Sequence, residues 1–456
     1  MVSGAGQSRG GRIAWAVTSG AGARVLSTGV SVLALPLAVR YLGAERFGIW
    51  ATVSSTVLFL NLLDLGIAAT LTNRIAHAYA TGDQVDAARY VSNAIALSAT
   101  IAGGAAMVLL NLWGRIDIPR LLNVPSTVPD REVNATVAVA VTLVLTGIPA
   151  SLASRIFAGY QEVHRGNAVV GAATVGNFAG LVIGIALHAS MPVLFGLAFG
   201  WTAAFNLGAL VTLVVWSKPW LRPHISFLRW SDVRELLGSG SGFFLVQLAG
   251  VVVFSSDNLV LSHYLGPAEV TPYNVTWRLA GFAVVAEGLL FPALWPAYAE
   301  AFARRDLEWI RRTFGMTMRA TVALTATFAV VLVLAGQTLI RWWAGNSAVP
   351  SRALLAAMAL WSVISGCMTV ESCLLAGTNR TREQGVLSIM AALINLGLSV
   401  LLVQRIGAVG VILGTILSYL LVLVLPQSLL VRQVLRTQRQ GPRAEVYAAR
   451  AAISPN

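Results

Sequence analysis

The chain has 456 residues, of which 56% are apolar and only 11% charged, with a formal net charge of +13 and a mean hydropathy of +0.73. A water-soluble fold needs far more charged side chains to cover its surface, so soluble enzymes and soluble binding domains are excluded. The 31 Arg and one Lys punctuate apolar runs rather than gathering on one polar face, which excludes a nucleic-acid-binding domain.

A bilayer crossing takes roughly 20 apolar residues. On that measure the chain predicts an all-α membrane protein of about twelve transmembrane helices, at 14–39, 47–72, 90–113, 133–157, 166–188, 193–216, 237–262, 271–296, 313–336, 353–377, 384–404 and 408–431. The first segment contains Arg24, is long, and runs straight into further spans, unlike a cleavable signal. Between these spans, 21 Lys and Arg fall on the side of the N-terminus and eight on the other. The positive-inside rule therefore predicts that both termini are cytoplasmic. Arg24, Arg278 and Arg319 are left within or near helices.

The longest polar interruption, SKPWLRPHISFLRWSDVREL at 217–236, predicts a cytoplasmic linker with a short interfacial helix whose aromatics sit at headgroup level. It separates an N-terminal lobe (1–216) from a C-terminal lobe (237–432), which is followed by a basic cytoplasmic tail (433–456). The halves resemble one another at a fixed offset of 223 residues. RYLG ending at Gly43 meets HYLG ending at Gly266, AHAYATGD ending at Asp83 meets AEAFARRD ending at Asp306, and Arg89 meets Arg312. In the same register Asp64 falls on Glu287 and Trp50 on Tyr273. At an offset of 218, Ala158-Gly159 meets Ala376-Gly377 and Asn177 meets Asn395. An even number of spans per half makes the repeat parallel. Two six-helix lobes would then be related by a pseudo-two-fold axis along the membrane normal, with a central cavity.

A charge at the centre of a span costs at least ~2.5–3.5 kcal/mol, so it is expected to face a cavity or a partner. In the first helix Arg24, Ser27, Thr28 and Ser31 form a polar stripe at helical spacing. Gln247 stands at the equivalent of Arg24 in the seventh helix, and the second helix adds Asn61 and Asp64 on one face. Asp257, Asn258, Arg278, Glu287 and Glu371 follow in the second half. Arginine binds phosphate oxygens in pairs and keeps its charge, so Arg24 and Arg278 are candidate substrate ligands, with Ser27, Ser31, Asn61, Gln247 and Asn258 lining the same cavity. Asp64, Asp257, Glu287 and Glu371 are candidates for gating or ion coupling. Structural ion pairs between these arginines and acids are the competing reading. Pro36, Pro292 and Pro296 are candidate kinks.

A phosphate-binding loop ending in Lys-Ser or Lys-Thr is missing, since the single lysine, Lys218, precedes Pro219. The five histidines show no metal-ligand spacing, and Cys367 and Cys373 lie on different faces of one apolar segment. The sequence thus predicts neither an enzyme nor a metal or cofactor site.

The run LPLAVRYLGAERFGIWATVSSTVLFLNLLDLGIAATLTNRIAHAYATGDQVDAARYVSNAI, Leu35 to Ile95, resembles the first helices of bacterial polysaccharide flippases. These are the Wzx-type O-antigen and exopolysaccharide transporters of the multidrug/oligosaccharidyl-lipid/polysaccharide exporter superfamily. DNLVLSHYLGPAEVTPYNVTWRL, Asp257 to Leu279, resembles the family segment after the central linker. The resemblance implies transfer of an undecaprenyl-diphosphate-linked oligosaccharide from the cytoplasmic to the periplasmic leaflet by alternating access. It also implies a place in the bacterial inner membrane among membrane lipids, drive by a proton or sodium gradient, and work alongside a polysaccharide polymerase and other assembly proteins. Arg24 and Arg278 would then meet diphosphate or acidic sugars. The alternative is a drug/cation antiporter of the same fold, which predicts a dominant buried acid and no central arginine.

Overall fold

The computed structural model describes the backbone of residues 9–378 and 380–437, and side chains except at 9–17, 238–247, 249, 252–254, 284–293, 296, 381–382 and 436–437. The side chains of Gln247 and Glu287, and most of the basic tail, therefore lie outside the described residues. Among the described residues there is helix and no strand. The order is α1 (Arg9–Val57), α2 (Ile67–Thr81), α3 (Gln84–Leu112), the short α4 (Ile118–Leu121), α5 (Asp130–Ala150), α6 (Leu152–Gly159), α7 (Val163–Ala186) and α8 (Met191–Thr212). It continues with α9 (Trp230–Leu265), α10 (Pro267–Ala303), α11 (Leu307–Ala344), α12 (Arg352–Gly377), α13 (Thr381–Ile406), α14 (Ala408–Tyr419) and α15 (Leu425–Thr437).

Among the described residues, nine helical stretches are long and apolar enough to cross a membrane. The chain is a multi-pass, all-α membrane protein. The first stretch, Thr18–Asp64, has 47 residues, about 70 Å of helix against a hydrocarbon core of about 30 Å. It divides at Gly43, where the backbone leaves helical geometry (φ 73°, ψ 177°). The chain passes through Pro36 without a break, so the bend expected at that proline sits seven residues later, where a residue without Cβ adopts the required positive φ. The segments expected at 237–262 and 271–296 lie within α9 and α10.

The chain forms two compact units, one running to Val275 with Leu339–Val349 added, the other comprising Thr276–Thr338 and the residues from Pro350 onward. The first does not end at the polar linker. Leu221 and Leu236 from that segment are fully buried in a core with Ile67, Leu71, Ile75, Val91, Leu152 and Ile156. This burial ties the linker and the start of α9 to α2, α3 and α6. In place of an interfacial helix the segment carries two 3-10 turns, Pro219–Leu221 and Ile225–Phe227, before α9 opens at Trp230. In the same unit α7 packs on α8 through Gly180 and Gly184, where an added Cβ would strike the Leu197 carbonyl and the Leu194 side chain. In the other unit Gly410 and Gly414 of α14 approach Leu402 and Ser399 of α13 just as closely. Small residues serve here because lipid gives helices little hydrophobic reason to associate, and close packing must do so instead.

The repeat is visible in local geometry. Gly43 and Gly266 share a positive φ with extended ψ (73°/177° and 89°/162°). Gly82 and Arg305 both have positive φ (73° and 59°). The next residues then cap α3 and α11 alike, with Asp83 accepting the Asp86 amide at 2.9 Å and Asp306 that of Trp309 at 3.0 Å. Gly159, which ends α6, lies against Ile75, and Gly377, which ends α12, lies against Tyr298; Ile75 and Tyr298 are themselves partners at the 223 offset. Asn177 and Asn395 each donate from their Nδ2 to a threonine on the following helix, Thr202 and Thr415, at 2.8 Å.

Candidate functional site

The second expected span is not one helix. After Val57 the chain tightens into a 3-10 turn, Leu58–Asp64, then passes through Leu65 (φ 49°) and Gly66 (φ 81°) before α2 begins. The interruption packs on α5 and α9. A mid-helix 3-10 segment gives up backbone hydrogen bonds, and in lipid each lost bond costs several kcal/mol unless protein or water restores it. Asp64 restores part of it. Its carboxylate oxygens accept the Ala68 amide at 3.3 and 3.4 Å, placing a negative charge at the N-terminus of α2, where the helix dipole favours it by up to ~2 kcal/mol. The charge of Arg155 on α6 also acts on Asp64. Asn61 lies on the same turn with its side chain exposed.

The stripe on α1 runs beside α7. Ser27 bonds Thr174 at 3.4 Å, and Ser19 bonds Asn167 at 2.9 Å. Ser31 is half-buried and Arg24 exposed. Ser27 is thus committed to its neighbouring helix.

Asp257 on α9 is buried, and its Oδ2 accepts the Tyr273 hydroxyl of α10 at 2.6 Å. Its Oδ1 has no hydrogen-bond partner among the described residues. Asn258 is turned into the seam with α1, where it donates to the Ala51 carbonyl at 3.4 Å while the Thr52 hydroxyl donates to its own carbonyl at 3.4 Å. Its side chain joins helices. Trp50 continues this seam into an aromatic group with Phe195 and Phe199, at ring separations of 4.8 and 5.4 Å.

In the other unit Arg278 on α10 is exposed. Glu371 on α12 is buried, and its Oε1 accepts the Ser428 hydroxyl of α15 at 2.8 Å. One residue along, Gln427 donates to the Ser372 hydroxyl at 3.4 Å. Glu371 Oε2 and Gln427 Oε1 have no hydrogen-bond partner among the described residues. A buried carboxylate oxygen without a donor is one that a proton on the carboxyl would satisfy. The ion pairs recorded among the described residues, such as Arg46–Glu132, Arg89–Asp232 and Lys218–Glu162, lie near helix ends, whereas Asp257 and Glu371 are held by hydroxyls. Among the described residues no group of three or more His, Cys, Asp and Glu is placed to hold a metal ion.

The model of a family described as polysaccharide biosynthesis protein matches residues 15–302. The chain belongs to that family. It is 20% identical over 286 residues to a protein named for O-antigen transport in Salmonella typhi, covering 63% of this chain and 64% of that one. It is 24% identical over 292 residues to a protein named for O-antigen export in Yersinia pseudotuberculosis, covering 62% and 64%. The matches thus span somewhat less than two thirds of these relatives' length. A solved inward-facing multidrug resistance transporter of the MATE family, in the MOP superfamily, has the same fold, with a TM-score of 0.77 over 91% of this chain and 96% of the other at 14% identity. At that identity the likeness concerns fold alone.

Several residues of this family member do not stand out among its charged groups. Tyr273 was marked only as the repeat partner of Trp50, and Gln427-Ser428 is a short polar step in an otherwise apolar last span. A buried carboxylate needs a donor, so hydroxyl and amide side chains in the facing spans are the signal that finds them.

Proposed function

We propose that the protein is a flippase that carries an undecaprenyl-diphosphate-linked oligosaccharide from the cytoplasmic to the periplasmic leaflet of the bacterial inner membrane by alternating access. The observation that carries this reading is that two arginines, Arg24 of α1 and Arg278 of α10, are set in long, predominantly apolar helices. An arginine within an apolar helix, costly at bilayer depth, suits a substrate that brings two phosphates and hydroxylated sugars. Family membership and the names of the relatives support the same substrate class. Asp257 and Glu371 are the proposed carriers of a coupling proton or sodium ion, and Asp64 the stabiliser of the interrupted helix. Both termini are placed in the cytoplasm on the arginine count. The protein would catalyse no covalent step and would hand its cargo to a polysaccharide polymerase and associated assembly proteins.

The test is complementation of a deletion strain, following the leaflet in which lipid-linked glycan accumulates. Wild type restores export. Arg24→Ala and Arg278→Ala each reduce it at least about tenfold, the factor represented by one lost charge-assisted hydrogen bond of about 1.4 kcal/mol. Unchanged glycan export together with altered drug sensitivity would overturn the proposal in favour of a drug/cation antiporter.

A further inference from the structure

The segment between α8 and α9 has two chemically distinct sides. Its inner side is fixed to α3: Asn93 donates to the Phe227 carbonyl at 2.8 Å and accepts the Arg229 amide at 3.0 Å. Both acids of the segment are spent on that side. Asp232 forms an ion pair with Arg89 at 3.0 Å, and Glu235 accepts the Tyr90 hydroxyl at 2.6 Å and pairs with Arg74. Lys218 is held by Glu162 at 2.9 Å above the ring of Tyr160; burial raises the pKa of that phenol, which therefore stays neutral beneath the ammonium.

The outer side is left with cations and indoles. Arg222, Arg229 and Arg234 are exposed, Arg222 also donating to the Val215 carbonyl at 3.2 Å; Trp216 and Trp230 are 70% and 76% exposed, and Trp220, whose Nε1 donates to the Tyr160 hydroxyl at 3.5 Å, is 41% exposed. For so large an apolar ring these values call for a partner on a folded protein. Depth is set by the chain itself, since Trp216 is the next-to-last residue of a membrane-crossing stretch, Met191–Ser217, so the segment begins at the bilayer boundary. Indoles favour that boundary, and clustered arginines there favour an anionic leaflet.

We propose that this outer face is a docking site for anionic phospholipid headgroups, with the three arginines on the phosphates and the three indoles between headgroups and acyl chains. The site is independent of the substrate reading. Each arginine at an anionic surface is worth about fivefold in partitioning, so three outweigh ordinary exchange with neutral lipid. The experiment uses the full chain in nanodiscs containing equal mole fractions of brominated phosphatidylglycerol or brominated phosphatidylcholine. The chain has 13 Trp, so the signal is taken as the difference from a W216F/W220F/W230F variant. Quenching at least threefold stronger by brominated phosphatidylglycerol is expected. The preference should fall to about one in R222Q/R229Q/R234Q while quenching by brominated phosphatidylcholine persists, and should survive in R222K/R229K/R234K. Equal quenching by the two lipids in wild type would overturn the proposal. So would quenching of the three indoles by aqueous iodide with none from either lipid, which would put the segment in water.

Discussion

The stretch from Gly43 to Asp83 and its counterpart from Gly266 to Asp306 begin and end alike but differ in the middle. Both open at a positive-φ glycine and both close at a left-handed residue followed by an aspartate cap. Between these ends the first is broken at Leu58–Gly66, whereas α10 runs as one helix from Pro267 to Ala303. Repetition has preserved the turns, whose geometry each half needs in order to re-enter the membrane. The interior has been free to diverge because a break inside lipid is tolerated wherever protein restores the lost bonds. In the first half Asp64 restores one of them.

Removing the break should have the largest effect. Gly66→Val places a β-branched residue at φ 81°, which costs about 1–2 kcal/mol and pushes the span toward the continuous form of α10. Export of lipid-linked glycan is expected to fall by roughly tenfold, the factor that energy represents. Full export would mean that the interruption is dispensable. Next, Gly159→Ala and Gly377→Ala push a methyl into Ile75 and Tyr298, respectively. Each should lose about 1–3 kcal/mol from overpacking, read as a lower Tm in detergent, and Ile75→Ala should relieve the first. A loss confined to one member of the pair would break the structural equivalence.

A finer contrast concerns the acids. Asp64→Asn removes a charge from the N-terminus of α2 and should lower stability by about 0.5–2 kcal/mol, whereas Glu287→Gln lies in the interior of α10, with no helix start to cap, and should leave thermal stability unchanged. The smallest effect is expected at the closing turns. Arg305 holds the left-handed conformation that Gly82 adopts freely. Arg305→Gly should therefore stabilise by about 0.5–1 kcal/mol and Gly82→Arg destabilise by a similar amount, both visible in the same melting assay.

Much of this was legible in the order of residues. The apolar runs located the helices and the arginines between them suggested a topology. The paired motifs at offsets of 223 and 218 predicted a parallel repeat, and in the structure they fall on matching turns, caps and close contacts at Gly43/Gly266, Asp83/Asp306 and Gly159/Gly377. The interruption was not foreseen, although LLDLG lay in plain view. Apolar content measures burial in lipid and is silent about backbone conformation, so a run of leucines reads as continuous helix until neighbouring helices hold it otherwise. The neighbour of Asn258 was hidden for a related reason: polarity at helical spacing marks a face but not which helix lies against it, and here that helix is α1.

The sequence by itself determined that the solvent of this chain is largely lipid, that its backbone must therefore be helical, and that its two halves share their turns. Those conclusions rest on composition and spacing, properties of the chain before it folds. Tertiary structure alone decided what each polar group does. Asp257 meets Tyr273, Glu371 meets Ser428, and Asp64 caps the helix beyond its own break. Inside a bilayer a polar side chain must find its partner within the protein, and only the packing of distant segments supplies that partner.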